Sequence, residues 1–148
     1  MVTFTLADYV LWIHIIAACV WIGGQIVLGM IVPLLRSDVR LLRSVAFTFQ
    51  NAAWVAFAAL IVTGVVNVHD AGISWTQLDS TPEGRTLSIK LFLVIVSGLA
   101  AALHAYWATP RLRTASVKVR AIAVGGLGGL SLAAAMAAAL FGVAIAQS

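Results

Sequence analysis

Four stretches of this 148-residue chain contain no Asp, Glu, Lys or Arg: residues 9–35, 44–69, 91–110 and 121–148. About 20 apolar residues cross a hydrocarbon core roughly 30 Å thick, and a run of about 18 already qualifies. Within lipid no water meets backbone N–H and C=O groups, so each stretch must close its own hydrogen bonds as a helix. The pattern predicts an all-α integral membrane protein. It is expected to be a four-transmembrane-helix bundle, with helices over about 7–35, 44–69, 82–110 and 119–147 in a single domain of residues 1–148. Composition agrees: 62% of residues are hydrophobic and 9% charged, whereas soluble domains carry about 25% charged residues. Too few charges remain to coat a soluble globule. That excludes an ordinary soluble enzyme, a disordered tail and a nucleic-acid binder.

The charges that are present report orientation. Arg36, Arg40 and Arg43 lie between the first two helices with Asp38, and Arg111, Arg113, Lys118 and Arg120 lie between the last two. Asp8, Asp70, Asp79, Glu83 and Arg85 fall on the other side, with Lys90 just inside the third helix. Short basic loops stay cytoplasmic, so both termini are expected to be extracytoplasmic, in a multi-pass protein of the inner (plasma) membrane. The sequence pI near 10 is then a topology signal, with attraction to anionic lipid as a lesser addition. The first span lacks a basic leader and is too long for a cleavable signal, so it is expected to remain as a helix with Pro33 near its end. Ser80-Thr81-Pro82-Glu83 offers the third helix an N-cap hydroxyl, a first-turn proline and an acid at the positive helix end. Cys19 is the single cysteine; it cannot form an intrachain disulfide, and no C-x-x-C-H haem-attachment motif is present.

Ionisable residues inside a span are costly and are functional candidates by default. At about 1.5 Å per residue, His14 lies roughly 9 Å outward of the first helix's midpoint, Lys90 roughly 12 Å outward on the third and His104 roughly 9 Å inward. Lys90, Ser97 and His104 are spaced by seven and share a face. His14, Ala18, Trp21 and Gln25 share another. These seams are expected to face the bundle interior, with His14, Lys90 and Asn67 in the outer half and Gln25, Asn51 and His104 in the inner half. Lys90 can also snorkel to the interface. His104, next to Tyr106 and Trp107, has the setting of an interfacial histidine, and His69 beside Asp70 that of a solvated one. His14 is the strongest ligand or proton-handling candidate, because Ala17 and Ala18 leave room beside its ring; the alternative is an interhelical hydrogen bond worth about 1 kcal/mol. His14 and His104 differ by roughly 18 Å in depth, too far to share one metal. Copper prefers clustered soft ligands, yet Cys19, Met30 and Met136 are scattered. No Ser-His-Asp set, phosphate loop or H-E-x-x-H motif is present, so no catalytic residue is assigned.

The fourth helix carries a ladder of small residues at every fourth position: Ala121, Gly125, Gly129, Ala133 and Ala137. Ala134, Ala138 and Gly142 extend the theme on the next face. Such ladders let helix backbones approach closely in lipid, where packing drives association. The ladder is expected to pack within this chain's own four-helix bundle; one stripe suffices there, so small residues on two faces also suggest a second contact, with another membrane subunit or another copy.

His14-x6-Trp21-Ile22-Gly23-Gly24, Thr63-Gly64, Thr81-x2-Gly84-Arg85-x-Leu87-x2-Lys90-Leu91 and Pro110-Arg111-Leu112 together resemble the copper-resistance D (CopD) membrane domain. The His-Trp spacing and the lysine heading the third helix are also similar to the small b-haem protoporphyrinogen oxidases of bacteria. The resemblance covers about residues 10–112. It implies His14 and Lys90 as a cofactor-binding pair, with His14 as the metal ligand, and haem b or copper as the group handled. The chain departs from that pattern in offering no second ligand near His14 and no Met or Cys path for copper. Three roles follow, in order of preference. The first is a non-catalytic accessory subunit, packed on a transporter or respiratory assembly through its small-residue faces. The second is a haem- or copper-binding module using His14 and Lys90, and the third is a protoporphyrinogen-oxidising enzyme. The lipid bilayer is a partner in every case.

Overall fold

The computed structural model describes residues 3–35, 37–111, 114 and 116–146, the side chains of residues 77, 117, 120, 121 and 146 excepted. Arg36, Leu112 and Arg113 of the basic loops lie outside the described residues. Among the described residues four helices are long and apolar enough to cross a membrane: α1 (Leu6–Ile31), α2 (Val39–Asp70), α3 (Pro82–Arg111) and α4 (Val117–Ala146), the last with its apolar part at Ile122–Ile145. No strand occurs among the described residues. The protein is an all-α, multi-pass membrane protein. Two compact units divide the chain, residues 1–74 and 75–148, and each is a helical hairpin.

In the first unit, Thr5 and Asp8 close a capping box at the start of α1. The Thr5 backbone N–H donates to Asp8 Oδ2 at 2.8 Å, and the Asp8 N–H donates to Thr5 Oγ1 at 3.3 Å. The helix stops at Ile31 rather than reaching residue 35. Pro33 has no N–H to donate and crowds the α conformation of the residue before it. α2 starts at Val39, five residues ahead of its charge-free run, because Asp38 caps it through a bond from the Leu41 N–H at 2.9 Å. At its far end Gly72 takes φ +70, and the Gly72 and Ile73 N–H groups reach back to the carbonyls of His69 and Val68. This closes a Schellman motif that a β-carbon at residue 72 would strain.

The two helices of this unit run antiparallel, as their contacts show. Phe49 meets Gly24, Trp54 and Phe57 meet Trp21, and Thr63 meets His14. The interface is built of Ala17 and Trp21 against Ala53, Ala56 and Thr63, all buried. Trp21 sits in a π-helical turn, Cys19–Gly23, which widens α1 locally. Its ring lies 5.7 Å from that of Trp54 and 4.6 Å from that of Phe57.

In the second unit Thr81 caps α3, its hydroxyl accepting the Gly84 N–H at 3.0 Å, with Pro82 in the first turn. Leu87, Ser97 and Ala100 of α3 and Ser131, Ala134, Ala135 and Ala138 of α4 are buried, and the two helices lie against each other. The Ser97 hydroxyl donates to the Ser131 carbonyl at 2.9 Å, with both side chains 1% exposed. The outward surfaces carry large apolar side chains such as Phe92, Ile95, Leu99, Leu130, Leu140 and Val143, a surface suited to lipid.

A β-carbon on Gly24 would run into the edge of the Phe49 ring, with Cζ only 3.0 Å away. Gly24→Ala is therefore expected to destabilise the protein by about 1–3 kcal/mol. In a Phe49→Ala background the same change is expected to lose most of its effect, a coupling that thermal unfolding of the four variants in detergent measures.

Candidate functional site

His14 lies half-buried on α1 and bonds across to α2: its Nδ1 is 2.8 Å from Thr63 Oγ1. The direction of that bond follows from what Thr63 does next. The single hydroxyl proton of Thr63 goes to the Ala59 carbonyl, one turn back on α2, at 2.6 Å. Thr63 can then only accept from the imidazole, so Nδ1 carries the ring proton. In the neutral ring this puts the acceptor lone pair on Nε2. Gly64 completes the seat, since a β-carbon there would stand 3.4 Å from His14 Cε1 and leave no room for a larger side chain.

The seven-residue seam on α3 meets α4 at three levels. Lys90 lies over Gly142, its Nζ 3.1 Å from where a β-carbon would be. Ser97 bonds to Ser131. His104 sits in a second π-helical turn, Leu103–Ala108, and its Nδ1 is 2.8 Å from the Val124 carbonyl, beside Gly128. His14 belongs to the first unit and Lys90 to the second. His14 lies beside Thr63 and Gly64, and Lys90 beside Gly142.

Other polar candidates do less. Gln25 turns back on its own helix, donating to the Trp21 carbonyl at 3.0 Å. Asn51 is exposed and lines an apolar groove of about 510 Å³ with Ile13, Ile16, Val20 and Val55. His69 is exposed, 3.6 Å from Asp70. Among the described residues no three His, Cys, Asp or Glu side chains gather where a metal ion could be held. The donor set thus suits an imidazole binding one ligand position and does not suit a closed metal cage, which needs three or four.

On α4, the stripe that packs against α3 is Ser131, Ala134, Ala135 and Ala138. Of the ladder read from sequence, Gly125, Gly129 and Ala133 are exposed and Ala137 is half-buried, while the Ala121 side chain lies outside the described residues. A β-carbon on Gly125, Gly126 or Gly129 would meet nothing within 4 Å. Thr63, Ser131 and the Val124 carbonyl were not singled out as partners in the sequence. Ser131, a lone hydroxyl in the apolar and small-residue run of α4, is the sign in the sequence of where the packed face lies.

The family model described as Copper resistance protein D matches residues 43–147. That segment includes Lys90, His104 and all of α4, and excludes His14. No curated protein and no solved structure matches the chain.

Thr63→Val removes the hydroxyl acceptor while keeping the side chain's shape. In 15N-histidine spectra His14 is expected to leave a single Nδ1–H tautomer for a mixture of both, with a stability loss of about 1 kcal/mol. Thr63→Ser is expected to keep the single tautomer.

Proposed function

The chain belongs to the copper resistance protein D family, and on that premise we propose that it handles copper as cargo within the inner membrane, with His14 as a transient ligand. The observation that carries this is the relay from His14 through Thr63 to Ala59. Metal-binding histidines usually give their other ring N–H to an oxygen that fixes the tautomer and the ring's direction. Imidazole is an acceptable copper ligand. A lone imidazole holds the ion weakly, which suits movement better than storage, since passage requires binding that is favourable and still easily released. Haem b is the other group that such an imidazole accepts. A Soret band in the purified protein that disappears in His14→Ala would transfer the assignment from copper to haem.

A second role, as an accessory subunit, is favoured by the open glycine face of α4. Gly125, Gly126 and Gly129 would let a foreign helix approach closely. The orientation read from the basic loops, with both termini outside, belongs to both roles.

Copper bound by the detergent-purified protein tests the first role. His14→Ala is expected to lower the affinity at least about tenfold, and Thr63→Val by about 10–100-fold without touching the metal; unchanged affinity in both would remove His14 from the site. Native mass spectrometry after gentle extraction tests the second. Larger partners or second copies are expected to accompany the wild type and to be lost in Gly129→Ile, and a lone monomer throughout would count against it.

A further inference from the structure

We propose that α2 carries a self-association face on which a second copy of this chain docks through Asn51, a face distinct from the open glycines of α4 and independent of the copper role. Asn51 is the residue that calls for a partner. It lies eight residues past Arg43, about 12 Å further along the helix and inside the apolar span. Its short side chain cannot reach the headgroups from there as an arginine can. It is exposed and forms no hydrogen bond among the described residues. An exposed amide at that depth meets acyl chains, which neither donate nor accept, and the loss is costly unless something covering it does both.

The residues in line with Asn51 form a seam. Thr48, Asn51, Val55, Ala58, Val62 and Val65 follow one another in alternating steps of three and four, and all are exposed. The buried face toward α1, with Ala53, Ala56 and Thr63, keeps the same rhythm two residues earlier, about 200° away round the helix. Steps of three and four are the spacing with which left-handed helix pairs interlock, in lipid as in water. α2 thus has two such seams, and α1 fills one of them. A single asparagine among apolar seam positions fixes the register and number of the helices that meet there.

The surface complements itself, which selects a second copy as the occupant. A carboxamide carries both a donor and an acceptor, so across a two-fold axis each Asn51 gives an N–H to the oxygen of the other and both are satisfied. All copies cross the membrane in one orientation, so that axis runs along the membrane normal, and the two α2 helices lie parallel with like residues at equal depth. Shape agrees with chemistry. Val55, 72% exposed, stands beside an apolar groove lined in part by the small residues Ala52, Ala56 and Ala59. Each copy therefore offers a projection and a recess within one turn of its amide.

The full-length protein is reconstituted in lipid vesicles that hold no other protein, because mass action in a bilayer keeps together contacts that dilution in micelles separates. With Cys19→Ala removing the native thiol and one cysteine placed per chain, a disulfide can join only two copies. Val62→Cys, on the seam, is expected to cross-link several-fold faster than Ile61→Cys, its exposed neighbour about 100° round the helix. Energy transfer between labelled copies, followed as lipid is added, is expected to show Asn51→Val pairing about tenfold more weakly. Asn51→Gln, which keeps donor and acceptor, is expected to pair as the wild type does. The same results are expected in a Gly129→Ile background, where copies held by the glycine face of α4 cannot contribute. Equal cross-linking at positions 61 and 62, or pairing that Asn51→Val leaves unweakened, overturns the inference. So does a monomer at every lipid dilution, which would leave acyl chains, the chain's own second hairpin or an unrelated helix to cover Asn51.

Discussion

Inside a bilayer, two helices gain nothing from leaving lipid for each other, since the acyl chains are as apolar as their side chains. What holds each hairpin here is close backbone approach at alanine, glycine and serine, together with a few polar bonds made across the gap. The rest of the structure depends on that constraint. It decides which residues are small, where the aromatic rings of Trp21, Trp54 and Phe57 can fit, and why each hairpin carries one imidazole that reaches the opposite helix. A histidine bonded across such an interface has its tautomer chosen by the acceptor it meets. At His14 and at His104 the bond that ties two helices together also fixes the tautomer of the neutral ring.

The four crossings are legible in the sequence because lipid excludes charge, but a charge-free run marks the crossing and not the helix. α2 continues through Arg40 and Arg43 to a cap at Asp38, since arginines at a membrane surface can remain helical while their side chains reach water. α1 stops short of its run because Pro33 intervenes. The polar seam of Lys90, Ser97 and His104 is legible for a different reason: seven residues is close to two helical turns, so three polar positions at that spacing must share a face. Nothing comparable exists on α4. Its residues are apolar and small nearly all the way round, so periodicity cannot select the packed stripe, and the ladder through Gly125 and Gly129 lies open while Ser131, Ala134 and Ala138 are buried. The pairing of His14 with Thr63 needs the register between two helices, which is set by side-chain fit along the whole interface and not by any local pattern.

Copper as passing cargo places a different demand on its ligands from copper held as a resident cofactor. A resident copper site collects several soft ligands and holds the ion tightly. Here the described residues offer separate imidazoles and no cluster. A single oriented imidazole such as His14 binds a cation weakly enough to release it, which is what the proposed passage of copper requires. The Lys90 side chain lies against Gly142, its Nζ 3.1 Å from where a β-carbon there would stand.

Glycine in a helix costs about 1 kcal/mol relative to alanine, so each one invites a reason. Gly24 admits the Phe49 ring, Gly64 and Gly128 seat the two imidazoles, and Gly142 seats Lys90. Each of these glycines faces a particular side chain from the other helix of its own hairpin. Gly125, Gly126 and Gly129 face none within 4 Å, although they lie on the same helix as Gly128 and Gly142 and within a few residues of the first. Conformational freedom does not account for them, since the helix runs through all three without interruption and without positive φ. A helix from outside the hairpin, approaching as closely as α3 does on the neighbouring stripe, would give them the same reason as the other four. The copper role and the accessory-subunit role proposed above thus draw on different residues, His14 in the first hairpin and the open glycines of α4 in the second, and do not compete.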